Sequence, residues 1–141
     1  MRALILTTCA VLFSLLNAEA QQLNLIDGVY QDQKGEVYSG SLEVFHNNGE
    51  RKALFSLKEG KIQNMALFYS ESGHLVMTGA YTDNLKDGIW LTYTASGKIA
   101  SKAEYRNGKK VGEWTIKSPY SEVCYKLNFS NDELSSAYAV D

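Results

Sequence analysis

Apolar and polar residues alternate along this chain in short runs, each closed by a turn signal. In "IASKAEYR", residues 99–106, and "VCYKLNF", residues 123–129, alternate positions carry the apolar or aromatic side chains. A period of two marks a strand with one face turned to a core. Beyond the first twenty residues no stretch shows a convincing helical period.

The runs also repeat. "GSLEVFHNNG" from Gly40, "NMALFYSESG" from Asn64, "GIWLTYTASG" from Gly88 and "GEWTIKSPYS" from Gly112 each begin 24 residues after the one before. Gly49, Gly73 and Gly97 keep that step, as do Phe45, Tyr69 and Tyr93, and Leu57, Tyr81, Tyr105 and Phe129. Gly60, Asn84 and Gly108 mark a second turn in the same phase. Many columns at one spacing define a repeat protein. The units span 40–63, 64–87, 88–111 and 112–135, after a partial unit within 21–39 and before a tail, 136–141.

Each unit reads as a β-hairpin. A short aromatic strand such as "IWLTY" leads into a four-residue turn ending in glycine, "TASG", where glycine suits the positive φ of a type I turn with a bulge. A longer second strand follows, "KIASKAEYR". Asn107-Gly108 is a strong two-residue hairpin signal, and Lys109-Lys110-Val111 reads as a linker into the next unit. The expected fold is all-β: a single-domain antiparallel hairpin meander.

Alternation assigns the faces. The second strands turn Ala53, Phe55 and Leu57, then Leu75, Met77 and Tyr81, then Ile99, Ala103 and Tyr105, to one side. Their other side is mostly polar, with Lys52, Ser56, Thr78, Lys102 and Lys126. Phe68, Trp90 and Trp114 of the first strands join the apolar face, where equivalent aromatics become neighbours. The last unit has the features of a cap: Pro119 interrupts its turn, Lys117 replaces the aromatic and Asp132 replaces the turn glycine. The segment "DELSSAYAVD" after it reads as either a short helix or frayed coil.

The N-terminus changes the picture. Arg2, the run "ALILTTCAVLFSLL" and the small residues Ala18 and Ala20 form a signal-peptide pattern over residues 1–20, with cleavage expected after Ala20. The expected location is therefore periplasmic or extracellular. Cleavage would remove Cys9 and leave Cys124 alone, so no internal disulfide is expected. The net charge of −2 argues against a nucleic-acid binder that relies on a basic surface.

Catalytic chemistry needs convergent groups. The chain has two histidines, His46 and His74, both at turns and in different columns of the repeat. No metal-ligand spacing, nucleophile elbow or phosphate loop is present, so neither a cofactor nor an enzymatic activity is expected. The repeat glycines have a turn explanation instead.

Residues 87–114, "DGIWLTYTASGKIASKAEYRNGKKVGEW", resemble the MORN-repeat-variant proteins, the YwqK-type antitoxin family; residues 66–90 match more weakly. Unit one has Leu42 and unit two Ala66 where that pattern has tryptophan, and unit four loses most turn residues. The resemblance covers residues 28 to about 131. It implies an elongated, curved sheet of hairpins and a protein-interaction or scaffold role. Its antitoxin label implies neutralising a protein toxin, which for an exported chain becomes an immunity-like role.

One set of residues suggests a binding surface. On the face opposite the tryptophans, the two central units carry Met65, Leu67 and Tyr69, then Ile89, Leu91 and Tyr93. The flanking units carry Ser41 and Glu43, then Glu113, Thr115 and Lys117. An apolar centre with polar flanks has the make-up of an interface with a protein partner. The alternatives are that the sheet curls, or that the N-terminal segment folds over, and buries both faces. A second functional reading is an envelope-associated module that contacts glycan or lipid through exposed aromatics.

Overall fold

The structure, a computed structural model, describes residues 22–140. The expected signal peptide, residues 1–20, lies outside them. Among the described residues the chain forms strands and turns without helix. The strands are β1 (Asn24–Ile26), β2 (Val29–Gln31), β3 (Gly40–Phe45), β4 (Arg51–Lys58), β5 (Lys61–Tyr69), β6 (Leu75–Thr82), β7 (Leu85–Tyr93), β8 (Ile99–Arg106), β9 (Lys109–Lys117), β10 (Cys124–Ser130) and β11 (Glu133–Val140). β3 to β11 make one antiparallel meander in chain order, and β1 pairs only with β2. The fold is the all-β hairpin repeat expected from the sequence.

Two turn types alternate. At one end of the sheet the turns are Glu59-Gly60, Asp83-Asn84, Asn107-Gly108 and Asn131-Asp132, all with both residues at positive φ. These are two-residue type I′ turns, whose twist matches that of the strands. Asn and Asp tolerate this conformation, so Asn84 and Asp132 serve where other units use glycine. The turns also stack. The N–H groups of Gly60, Asn84, Gly108 and Asp132 donate to the carbonyls of Tyr38, Ile62, Lys86 and Lys110, each 22 residues earlier. Asn84 Oδ1 and Asp132 Oδ1 in return accept from Ile62 N and Lys110 N at 2.7 and 2.8 Å. At the other end, Gly49, Gly73 and Gly97 close four-residue turns at φ 85, 79 and 78°, beside a bulge in each hairpin.

Several local expectations are corrected. Lys109-Lys110-Val111 is not a linker but the start of β9, because a two-residue turn returns the chain directly into the ladder. First strands β5, β7 and β9 are therefore nine residues long, not shorter than the second strands. Gly88 and Gly112 are not turn residues. With Asn64 they sit mid-strand at φ 80, 66 and 64°, where the register to the preceding strand shifts. Units two, three and four thus carry a kink in the first strand, at a position that needs a left-handed residue.

The segment after residue 132 is neither helix nor frayed coil but strand β11, paired to β10 along its length and crossing the expected unit boundary at 135. Ser136 stands in the column of Gly88 and Gly112, and it has no positive φ. Without that kink β11 is displaced by one residue relative to the repeat, which reverses its faces. Tyr138, in the tryptophan column, pairs with Lys126 and reaches Glu113 Oε2 at 3.3 Å on the opposite side. The N-terminal hairpin is also out of phase: its turn, Asp27-Gly28, lies 32 residues before Glu59-Gly60.

The sheet is a single layer, with packing confined mainly to neighbouring strands. Its core is the aromatic face. Phe55, Phe68, Tyr81, Trp90, Tyr105, Trp114 and Phe129 form a continuous ladder, in which Phe55 meets Phe68 and Tyr81, both Phe68 and Tyr81 meet Trp90, and contacting ring centroids lie 4.8–6.2 Å apart. Edge-to-face pairs of this kind contribute about 0.5–1.5 kcal/mol each beyond burial. Trp90 is 3% exposed, and its Nε1–H donates to Ala80 O at 3.1 Å. Trp114 repeats that bond to Glu104 O. Lys86 Nζ lies 4.1 Å above the Trp90 ring, and Lys110 Nζ lies 5.4 Å above Trp114.

Candidate functional site

Cross-strand register assembles the second face. Partners in an antiparallel ladder share a face. One row therefore runs across the sheet as Glu43, Leu54, Leu67, Thr78, Leu91, Lys102, Thr115, Lys126 and Tyr138. Its centre is apolar and both flanks are polar. Beside it Met65 pairs with Ala80, and Ile89 pairs with Glu104.

All six residues singled out in the sequence lie in β5 and β7, and none is buried. Met65 is 64% exposed and Ile89 42%. Leu67, Leu91, Tyr69 and Tyr93 are half-buried. Met65 and Leu67 converge with Leu54 around a shallow depression of about 260 Å³ that Ser41 and Ser56 complete. Tyr93 is tethered, its hydroxyl 3.1 Å from Thr78 Oγ1. Tyr69 stands apart from that depression, near the turn, with Phe45, Glu50 and Arg51. Leu54 is the member that sequence reasoning missed. It alternates with Lys52 and Ser56, so a lone leucine in a polar phase was the available signal.

The electrostatics around the patch are those of exposed ion pairs. Arg51 Nε donates to Glu43 Oε2 at 3.0 Å, which raises the arginine pKa above its ordinary value. Lys126 Nζ donates to Glu113 Oε1 at 2.7 Å, raising the lysine and lowering the glutamate. Such pairs fix geometry more than they stabilise.

A larger depression, about 650 Å³, lies beside the loop 118–122 and is lined by Lys98, Ile99, Lys117, Tyr120, Glu122 and Cys124. Cys124 is a free thiol. His46 Nε2 lies 2.9 Å from Tyr69 O at the end of β5, and His74 Nδ1 lies 3.0 Å from Ser72 Oγ in its own turn, so one histidine ties its turn to the next unit and the other bonds within its turn. Among the described residues no group of three His, Cys, Asp or Glu side chains converges to hold a metal ion.

No protein-family model matches this chain, and no curated protein matches its sequence.

Proposed function

We propose that this protein is an exported, non-enzymatic β-repeat module of MORN-like type that binds another protein through the apolar centre of its second face. The observation that carries this reading is the exposure of Met65 and Ile89 beside Leu54, Leu67 and Leu91, in a row whose flanks are charged. Exposed apolar clusters rimmed by polar groups favour protein contact. Export rests on the pattern of residues 1–20 and the repeat class on the 24-residue columns. The glycan reading is less favoured, because Lys86 and Lys110 lie over the tryptophan rings and Tyr81 and Tyr105 pack edge-on with Trp90. Sugar stacking needs an open ring face.

The test is a tagged pull-down from envelope and secreted fractions, read by mass spectrometry. Its control is a Leu67→Lys, Leu91→Lys variant shown by circular dichroism to be folded. A protein enriched by the parent chain and lost with the variant supports the reading. Equal capture by both removes this surface as the interface.

A further inference from the structure

We infer that the partner of this face is a second copy of the same chain, stacked face to face about a two-fold axis that lies parallel to the strands between β5 and β6. The inference rests on the reading above that this face is an interface, and it names the occupant.

The argument is self-complementarity. A two-fold axis in the interface plane and parallel to the strands reverses strand order but keeps each row over itself. In the long row it sets Leu67 over Thr78 of the other copy, Leu54 over Leu91, and Glu43 over Lys102. The residues taken in strand order are Glu43, Leu54, Leu67, Thr78, Leu91 and Lys102, so acid meets base at both ends, leucine meets leucine inside them, and leucine meets the methyl-bearing threonine beside the axis. In the adjacent row, Met65 stands over Ala80, its own cross-strand partner's counterpart in the other copy. Met65 is the most exposed side chain of the patch, and the side chain it faces, alanine, is small. The alternative two-fold axis, along the rows, would set Glu43 against Glu43 and Lys102 against Lys102. Glu43 is already paired with Arg51 of its own chain at 3.0 Å, so the contrast at Lys102, which meets Glu43 in one geometry and a second lysine in the other, is the larger part of the charge selection between them.

Size agrees with a reversible dimer. Six strands at about 4.8 Å spacing and about six residues of length give a footprint of about 600 Å² per copy. The total, about 1,200 Å², is at the lower limit for a specific interface, so the dimer is weak and concentration-dependent. A single-layer sheet gains a second layer by this route, in the manner of two sheets packed about 10 Å apart.

The test is sedimentation equilibrium of the protein purified from cells that express the full chain, over low to high micromolar concentration. The expected result is a monomer–dimer equilibrium that Leu91→Lys weakens at least about tenfold. Glu43→Lys and Lys102→Glu should each weaken it severalfold, and the two together should restore it to within about threefold of the parent. Circular dichroism confirms that each variant is folded. A monomer at every concentration overturns the inference, as does a dimer indifferent to Leu91→Lys or a double swap without rescue. If the chain is monomeric yet captures another protein through the patch, self-association fails and the binding reading stands. If it is monomeric and captures nothing, both fail.

Discussion

Gly79 is required by a side chain, not by its own backbone, and Gly79→Ala tests that claim. It lies in β6 without a positive φ, so alanine can adopt its conformation. A Cβ added there would meet Trp90 ring carbons at 2.1, 2.2 and 2.5 Å. Carbon contacts settle at about 3.5–4 Å, so the ring must retreat by more than about 1 Å. The fold contains a picture of the outcome. One repeat later Ala103 fills the column of Gly79, and Trp114 keeps its Nε1 bond at 3.1 Å. Trp114, however, meets Tyr105 at an interplanar angle of 53°, where Trp90 meets Tyr81 at 85°, and it is only half-buried. Alanine is thus tolerated with a tilted, wetter tryptophan.

The magnitude follows. Overpacking costs about 1–3 kcal/mol. Replacing glycine at a compatible backbone offsets about 0.4–1 kcal/mol through the unfolded chain. Gly79→Ala should therefore destabilise by about 1–2 kcal/mol. Urea unfolding in a Trp114→Phe background isolates Trp90 as the single tryptophan reporter. The midpoint should fall and the native emission should shift to the red. Unchanged or raised stability with unshifted emission would show that Trp90 does not depend on the gap at Gly79.

Three further outcomes are expected. Asn84→Ala removes acceptance from Ile62 N and donation to Gly28 O, both at 2.7 Å, and puts alanine at φ 68°; it should cost about 2–3 kcal/mol and speed hydrogen exchange in β1 and β2, and unchanged exchange there would refute the tether. Asp132→Gly keeps an easy left-handed backbone and loses only the bond from Lys110 N, so it should cost about 0.5–1.5 kcal/mol, whereas Asp132→Ala should cost about 1–2 kcal/mol more from the left-handed backbone; equal denaturation midpoints for the two variants would contradict this. Burial raises the Tyr81 and Tyr105 pKa values above 10.0 and lowers Lys86 from 10.5. The tyrosines then contribute stability that is present below pH 10.0 and lost as pH rises through their raised folded values, while Lys86 contributes in the opposite sense, its penalty lifting as pH rises through its lowered value. Between pH 10.0 and 10.5 the tyrosine and lysine contributions therefore oppose each other, and removing the lysine in Lys86→Met should make stability fall more steeply with pH there than in the parent; denaturation midpoints of the two proteins from neutral pH upward check the sign.

The repeat and its hairpins were legible because turn chemistry and alternation are local. Asn107-Gly108 and Gly97 each carry their conformational demand in one or two residues. The mid-strand kinks were not legible. A glycine in a left-handed conformation reads the same whether the chain reverses there, as at Gly97, or bends within a ladder, as at Gly88. The same ambiguity concealed the true length of the first strands. β11 was unreadable for a related reason: its glycine is replaced by Ser136, and the displaced register takes Tyr138 out of the phase that the other units establish. The candidate site was partly legible. Alternation placed Leu67 and Leu91 on one face, but Leu54 joins them only through its pairing with Leu67 across β4 and β5.

The last unit shows how the columns stay in phase despite an irregular loop. In units one to three a four-residue turn is followed by a bulge in the second strand. In unit four the loop from Ser118 to Val123 is one residue longer, and β9 pairs with β10 without a bulge. The added loop residue takes the place of the bulge residue, so Phe129 still falls beneath Trp114 and the aromatic ladder continues. The ladder therefore constrains the first face in every unit. The second face is under no such constraint. The column of Leu67 and Leu91 holds Glu43 and Thr115 in the flanking units, and that of Met65 and Ile89 holds Ser41 and Glu113, within the same sheet. Polar residues satisfy the repeat at these positions. The apolar centre is then not a requirement of the fold, which is the reasoning behind the proposal that a partner covers it.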